Sequence, residues 1–385
     1  MAISLKKFRF TKLNDLLLVT FITSIGVALL NPIWSLYFYD LFKNPSLVGV
    51  FSSLLSLVAL VCFFIFTPII QKFQEKKIYN LSLLFSIIIL LLIALTKNIY
   101  VSIFFIIVYV MLMVLRGECF GILFREESQN KSIGKNEGLA YTLSNLGWLM
   151  GALFVIPLLN YYKFSTMFLF SAIFTLVALL IFSFYKRTIK KSNDEISLFK
   201  TIKEFFKNKI LVKGYIASTG MSVWSGFIFV YVPIYIIRNN MDRSYVGIFL
   251  FAFVLPYLIE YFIGKKSDLV GNKFFITLGY LIISVCSLIA FFVNNFKISL
   301  AFLILSSFGI SFISPTRESY FFKSTNKKEE EKYYGVYLTH IEIGLLMGKI
   351  IPAVLLLYFS FNYMFLFFAV IMFLFYLYSL KLKDV

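Results

Sequence analysis

The sequence predicts an all-α membrane protein, with twelve transmembrane helices arranged as two pseudosymmetric six-helix bundles. Three observations carry this. Hydrophobic residues make up 60% of the 385-residue chain and its mean hydropathy is +0.87, whereas soluble domains are roughly half apolar and have few long uncharged runs. Apolar stretches of about 18 to 25 residues, long enough to cross a hydrocarbon core of about 30 Å as helices, recur along the whole chain. The second half also repeats the first at a constant offset.

Span 1 (15–39) follows a basic start, Lys6-Lys7-Phe8-Arg9. The stretch is too long for a signal peptide and has no small-residue cleavage site, so it reads as a retained first helix. Spans 2 (47–70) and 3 (78–95) are apolar runs; residues 81–95 show no alternation of apolar and polar, which excludes a membrane β-barrel. Span 4 (100–123) contains Arg116 and Glu118, span 5 (138–160) contains Trp148 and Pro157, and span 6 (165–185) has no charge before its end. The longest polar stretch, 186–209, carries eight basic and three acidic residues and separates six spans from six. It divides the chain into a first bundle (1–185), a basic linker (186–212) and a second bundle (213–385). Residues 196–207 place apolar side chains at helical spacing and are expected to lie along the membrane surface. Spans 7 (213–237) and 8 (246–263) carry Trp224 and Glu260; span 9 (274–293) is followed by span 10 (298–315), which ends at Pro315. Span 11 (334–358) carries His340, Glu342, Lys349 and Pro352, and span 12 (362–380) completes the set.

The net charge of +18 is a topology signal rather than a nucleic-acid footprint. Of 37 Lys and Arg, 29 fall in the termini and in the loops on the side of the termini; six fall in the alternate loops, and Arg116 and Lys349 lie within spans. The positive-inside rule then predicts a multi-pass cell-membrane protein with both termini cytoplasmic, its basic face toward anionic lipid headgroups. Cys62, Cys119 and Cys286 lie inside spans without a CxxC pair, so neither a disulfide framework, a metal site nor a cofactor is expected.

At an offset of 197, the segment from Gly138 to Gly151 aligns with Gly335 to Gly348, with six identities in fourteen positions. Within one residue of that offset, Ser46-Leu-Val-Gly-Val-Phe51 aligns with Ser244-Tyr-Val-Gly-Ile-Phe249. Six helices separate the copies, so the halves are related by an axis near the membrane normal.

A charged side chain deep in a span costs about 3 kcal/mol or more unless it faces protein or water, so each is a candidate for function. Arg116 lies about 13 Å along its helix from Arg125, too deep to reach the interface, and is expected to face a central cavity. Glu342 and Lys349 are seven apart on one face of span 11. Arg116, Glu118, Glu342 and Lys349 are the substrate or coupling candidates, against a structural ion pair as the alternative. Glu260, near Lys265, reads as an interfacial carboxylate paired with loop bases, and His340 as a capping or packing residue.

Gly264-Lys-Lys-Ser-Asp268-Leu-Val-Gly271-Asn-Lys273 lies between spans 8 and 9. It resembles the Gly-x-x-x-Asp-Arg/Lys-x-Gly-Arg/Lys-Arg/Lys motif of the major facilitator superfamily, which also occurs between helices 2 and 3. The first-half copy here keeps its bases, Lys72 among them, and loses both glycines and the aspartate. The resemblance covers essentially the whole chain and implies alternating access about a cavity lined by helices 1, 4, 7 and 10 with 2, 5, 8 and 11. It implies a gating role for Gly264, Asp268, Gly271, Lys273 and Lys72, with Asp268 contacting the opposite bundle near residues 135–138. Trp148 and Trp224 lie in helices that line the cavity in the family, so stacking on a substrate joins packing as a reading of both.

The function expected on this basis is a secondary active or facilitative transporter of a small organic solute, with proton-coupled efflux of amphipathic compounds as the leading form. Nutrient uptake, of a sugar or organic anion, is the alternative. A non-transporting receptor with the same fold is the alternative of another class. No Gly-x-x-x-x-Gly-Lys-Ser/Thr sequence is present for a primary pump. One histidine and scattered carboxylates supply little for a membrane enzyme.

Overall fold

A computed structural model describes residues 12–96, 98–127, 133–185 and 198–383. The basic start and the first part of the linker, 186–197, lie outside the described residues. The first bundle comprises α1 (Lys12–Phe42), α2 (Pro45–Lys72), α3 (Glu75–Leu95), α4 (Ile99–Glu127), α5 (Ile133–Tyr161) and α6 (Phe164–Ser183). A short helix in the linker, α7 (Leu198–Lys207), precedes the second bundle. That bundle comprises α8 (Lys209–Arg238), α9 (Ser244–Val270), α10 (Asn272–Phe292), α11 (Phe296–Lys323), α12 (Lys327–Leu355) and α13 (Tyr363–Ser379). The twelve predicted spans correspond to eleven helices of 20 to 31 residues, long and apolar enough to cross a membrane, and the shorter α13.

Local chemistry sets the boundaries. Asn44, Asn208, Asn295 and Asn326 each precede a helix and accept hydrogen bonds from its first free N–H groups; Asn326 and Glu329 form a reciprocal capping box. Gly271 ends α9 at φ 101°, a conformation that favours glycine. One boundary differs from expectation, because α11 runs through Pro315 to Lys323. Proline is tolerated within spanning helices; Pro315 removes the helical donor to the Ser311 carbonyl, and in the same turn Thr316 Oγ1 donates to the Phe312 carbonyl at 2.6 Å.

Within the first bundle α1 packs on α5 and α6, and α3 on α4 and α6; in the second, α8 packs on α12, and α10 on α11 and α13. The repeated glycines explain two of these contacts. A Cβ on Gly147 would lie 2.6 Å from the Phe21 carbonyl of α1, and one on Gly344 would lie 2.7 Å from the Thr219 carbonyl of α8. Small residues at four-residue spacing let these helix backbones touch where lipid gives little hydrophobic drive.

The bundles meet through α2 against α12 and α5 against α9. The largest buried core joins residues of both bundles, among them Leu29, Val155, Phe227 and Val246. Nearer the linker the cores separate: one holds Tyr79, Phe124 and Phe182 of the first bundle, the other Phe205, Tyr215 and Tyr337 on the side of the second. The bundles are thus closed together at the face remote from the linker and parted at the linker face.

Candidate functional site

A cavity of about 780 Å³ lies between the bundles, lined by α1, α2, α4, α8 and α12, with Thr201 of α7 at its rim. It reaches the linker face, where Gly121, Lys332 and Tyr334 line it. At the remote face it is sealed. Arg243 pairs with Asp40 across the bundles at 2.8 Å, and its guanidinium lies 4.9 Å from the centre of the Phe164 ring. Gly49 of α2 lies against Tyr231 and Ala353, and Gly247 of α9 against Ile156.

The walls are chiefly apolar, with the rings of Trp34, Phe38, Phe63, Tyr109 and Phe229 set among aliphatic side chains such as Leu55, Val110 and Leu345, and polar groups from Asn31, Ser52 and Ser56. Glu118, Glu342 and Lys349 supply the charge within the spans. Lys349 Nζ donates to Ser56 Oγ at 2.7 Å, a bond from the second bundle to the first. Tyr231 Oη donates to the Lys349 carbonyl at 2.6 Å and so ties this part of α12 to α8. Glu342 lies on the Lys349 face of α12, two turns away. Such a site can hold an apolar or aromatic body while presenting two carboxylates and one ammonium to its polar group.

The expected cavity position of Arg116 needs correction, and for Trp224 and Trp148 packing holds in place of substrate stacking. Arg116 is buried within the first bundle, with its guanidinium 2.7 Å from the Met113 sulphur and in electrostatic reach of Tyr79 and Tyr109. Gly117, Glu118 and Gly121 take the cavity face, and residues 116 and 118 are about 200° apart around a helix, which turns Arg116 away. Trp224 is fully buried against Phe227 and Phe368 of α8 and α13, behind the cavity face formed by Ser225, Gly226 and Phe229. Trp148 packs 5.8 Å from Phe229 and so stands behind the lining instead of in it. The polar residues do gather in the cavity: Glu118, Glu342 and Lys349 all line it.

The loop motif sits at the open face. Asp268 pairs with Lys323 of its own bundle at 3.0 Å, not with the opposite bundle, because the bundles are apart there. Gly264 faces Pro315 of α11 at an ordinary distance, Gly271 makes the positive-φ turn, and Lys273 is half-buried in the first turn of α10. The side chains of Lys72, Lys135, Glu137 and Gly138 lie outside the described residues.

A second polar cluster went unread in the sequence. Arg317 Nη1 lies 2.8 Å from His340 Nε2, and Arg317 Nη2 lies 4.0 Å from Glu318 Oε1. Since guanidinium can only donate, Nε2 accepts and Nδ1–H donates to the Tyr337 carbonyl at 2.6 Å, which makes His340 neutral in this arrangement. Glu260 accepts from Asn145 across the bundles at 2.9 Å, in place of the expected loop bases, and Tyr141 reaches Glu318 at 3.5 Å. Ending span 10 at Pro315 put Arg317 and Glu318 in a loop; both are buried, at 9% and 8% exposure. The signal was Tyr320-Phe-Phe322 beyond them, an aromatic run that continues the helix.

At the cavity rim Lys332 bonds Glu204 of α7. The ammonium holds this carboxylate below its usual range. A depressed carboxylate contributes above its ordinary pKa of about 4.3 and loses that contribution as pH falls through the lower folded value. The docking of α7 should therefore stay constant from about pH 8 down to about pH 5 and loosen only below about pH 4, as followed by the mobility of a spin label at position 203. Loosening already at pH 6 would show that another group controls it.

A family profile described as the Major Facilitator Superfamily matches residues 16–259 and 239–384. Two curated relatives come from Methanocaldococcus jannaschii. The uncharacterized MFS-type transporter MJ1317 is 25% identical over 257 residues, covering 61% of this chain and 62% of the relative. The uncharacterized MFS-type transporter MJ1560 is 28% identical over 149 residues, 38% of each chain. The alignments thus span less than two thirds of these relatives. Among solved structures, a point-mutant form of the nucleoside transporter NupG superposes with a TM-score of 0.78 at 13% identity, covering 97% of this chain and 100% of that one. The human organic anion transporter MFSD10 (TETRAN) gives 0.73 at 12% identity, with 95% and 98% covered. At such identities the superpositions show the fold alone; with the family profile matched along nearly the whole length, the chain belongs to the Major Facilitator Superfamily.

Proposed function

We propose that this protein is a secondary transporter of a small organic solute, working by alternating access. The observation that carries this reading is the cavity itself, a charged and aromatic chamber between the bundles, open to one face and sealed at the other. The distribution of basic residues supports a cytoplasmic linker face in the cell membrane with both termini cytoplasmic, which makes the present state inward-open.

Within the spans two carboxylates stand against one lysine, itself bonded to Ser56, while the other lining lysine, Lys332, is paired with Glu204 at the rim; this balance favours an amphipathic compound with a cationic group. The aromatic walls suit its apolar body. Proton-coupled efflux is the proposed direction, with Glu342 carrying either the solute's charge or a proton. Lys349 favours a second reading, uptake of an organic anion.

Purified protein screened by thermal shift should be stabilised by cationic amphipaths and not by sugars or organic anions. Flux of the best ligand in liposomes, driven by an imposed proton gradient, then tests transport. Losing one charge-assisted contact costs about 1.5–3 kcal/mol, so Glu342→Gln should weaken binding roughly 10- to 150-fold. Stabilisation by anions that is lost in Lys349→Ala would replace efflux with anion uptake; binding without flux would favour the receptor.

A further inference from the structure

The linker helix α7 has two faces of opposite character. Thr201 and Phe205, one turn apart, are buried, and the Phe205 ring packs against Tyr215 of α8 and Tyr333 of α12 at 5.8 and 5.9 Å. The apolar face expected to sit in lipid is thus spent on the second bundle. Lys200, Lys203 and Lys207 recur at three- and four-residue spacing and are exposed on the other side, and Phe206, between the two faces, sets one side of its ring 5.4 Å from Tyr215 and leaves 48% of the residue exposed. The helix's one acidic residue, Glu204, turns to Lys332 and acts electrostatically on Lys200 as well, so among the described residues the outer face, with three lysines, stays net positive.

Position decides the partner. Asn208 alone separates α7 from α8 and caps it, accepting from Ile210 N at 3.0 Å. With 30 residues, about 45 Å, α8 extends beyond a hydrocarbon core of about 30 Å, so a helix joined to its first turn belongs to the headgroup layer. Lysines flanking an exposed aromatic ring match that layer, the bases toward phosphate and the ring toward the acyl boundary. An acidic protein would find the same charges, but Phe206 and the membrane depth favour lipid.

We infer that the outer face of α7 docks on anionic phospholipid through Lys200, Lys203 and Lys207, with Phe206 inserted, and that this docking fixes the cavity rim. The rim follows α7 because Thr201 lines the cavity and Glu204 holds Lys332, which lines it too. The effect on the rim rests on the proposed transport cavity; the docking does not.

The test places the full chain, with Phe206→Cys carrying an environment-sensitive nitrobenzoxadiazole label, in nanodiscs of phosphatidylcholine alone or mixed equally with phosphatidylglycerol. Cys62, Cys119 and Cys286 are buried and give little background labelling. The label should shift to the blue in the anionic discs. High salt, which cuts the screening length to about 3 Å at 1 M, should reverse the shift, as should Lys200→Gln with Lys203→Gln and Lys207→Gln; arginines at the same three positions should preserve it. Free inorganic phosphate should leave the emission unchanged, which separates a lipid surface from a soluble anion site. Equal emission in both discs, or a shift that survives the triple glutamine change, overturns the docking. The readout is independent of solute flux, so either result leaves the transport reading to its own test.

Discussion

Replacing Gly247 with leucine is expected to pry the bundles apart at the face remote from the linker and to abolish most transport. A Cβ at this position would lie 2.9 Å from the Ile156 backbone nitrogen and 3.0 Å from its Cα, so no side-chain rotation relieves the clash. The pseudosymmetric Gly49 is equally confined, with a Cβ there 2.8 Å from that of Ala353 and overlapping the Tyr231 hydroxyl. Overpacking a close contact costs about 1–3 kcal/mol, and because the cost falls only on the sealed state, it should shift the conformational balance roughly 5- to 150-fold. Spin labels at Tyr100 and Ile298, exposed at the remote face on opposite bundles, should move apart in Gly247→Leu and in Gly49→Leu. Labels at Phe73 and Leu269 on the linker face should come closer. Unchanged distances in both variants would mean that these glycines do not form the seal.

The largest loss of stability is expected from Arg317→Ala. Arg317 is the cation beside Glu318 and the donor to His340 Nε2, inside a bundle where water cannot replace it. Removing one partner of a buried charged pair costs about 3–5 kcal/mol, a large part of a total stability of about 5–15 kcal/mol. Thermal unfolding of the detergent-solubilised protein should drop by an amount on the order of 10 °C. Replacing both charges, Arg317→Met with Glu318→Leu, should recover most of the loss, since the penalty arises from the carboxylate left behind. A single Arg317→Ala variant as stable as the parent would show that the cluster contributes nothing to folding.

The sequence by itself determined the helices and their pairing into halves. Spanning helices must satisfy their backbone hydrogen bonds internally, so length and hydropathy suffice to find them, although the span drawn to Pro315 stopped short of the end of α11 at Lys323. The internal repeat carried tertiary information as well. Gly49 with Gly247, and Gly147 with Gly344, align in sequence and make matching close contacts in space, because a duplicated fold places equivalent residues at equivalent interfaces. Of the proposed site, Glu118, Glu342 and Lys349 were legible because charge inside a span needs an aqueous or protein surface. What only the tertiary structure decided was rotation. In a helix with little amphipathic pattern a single residue step turns a side chain by about 100°, enough to place Arg116 and Trp224 behind the wall and Glu118 in it. The state of the cavity, open at the linker and sealed at Asp40 and Arg243, belongs to the relative position of two bundles, and that follows from contacts between residues about 200 apart rather than from local pattern.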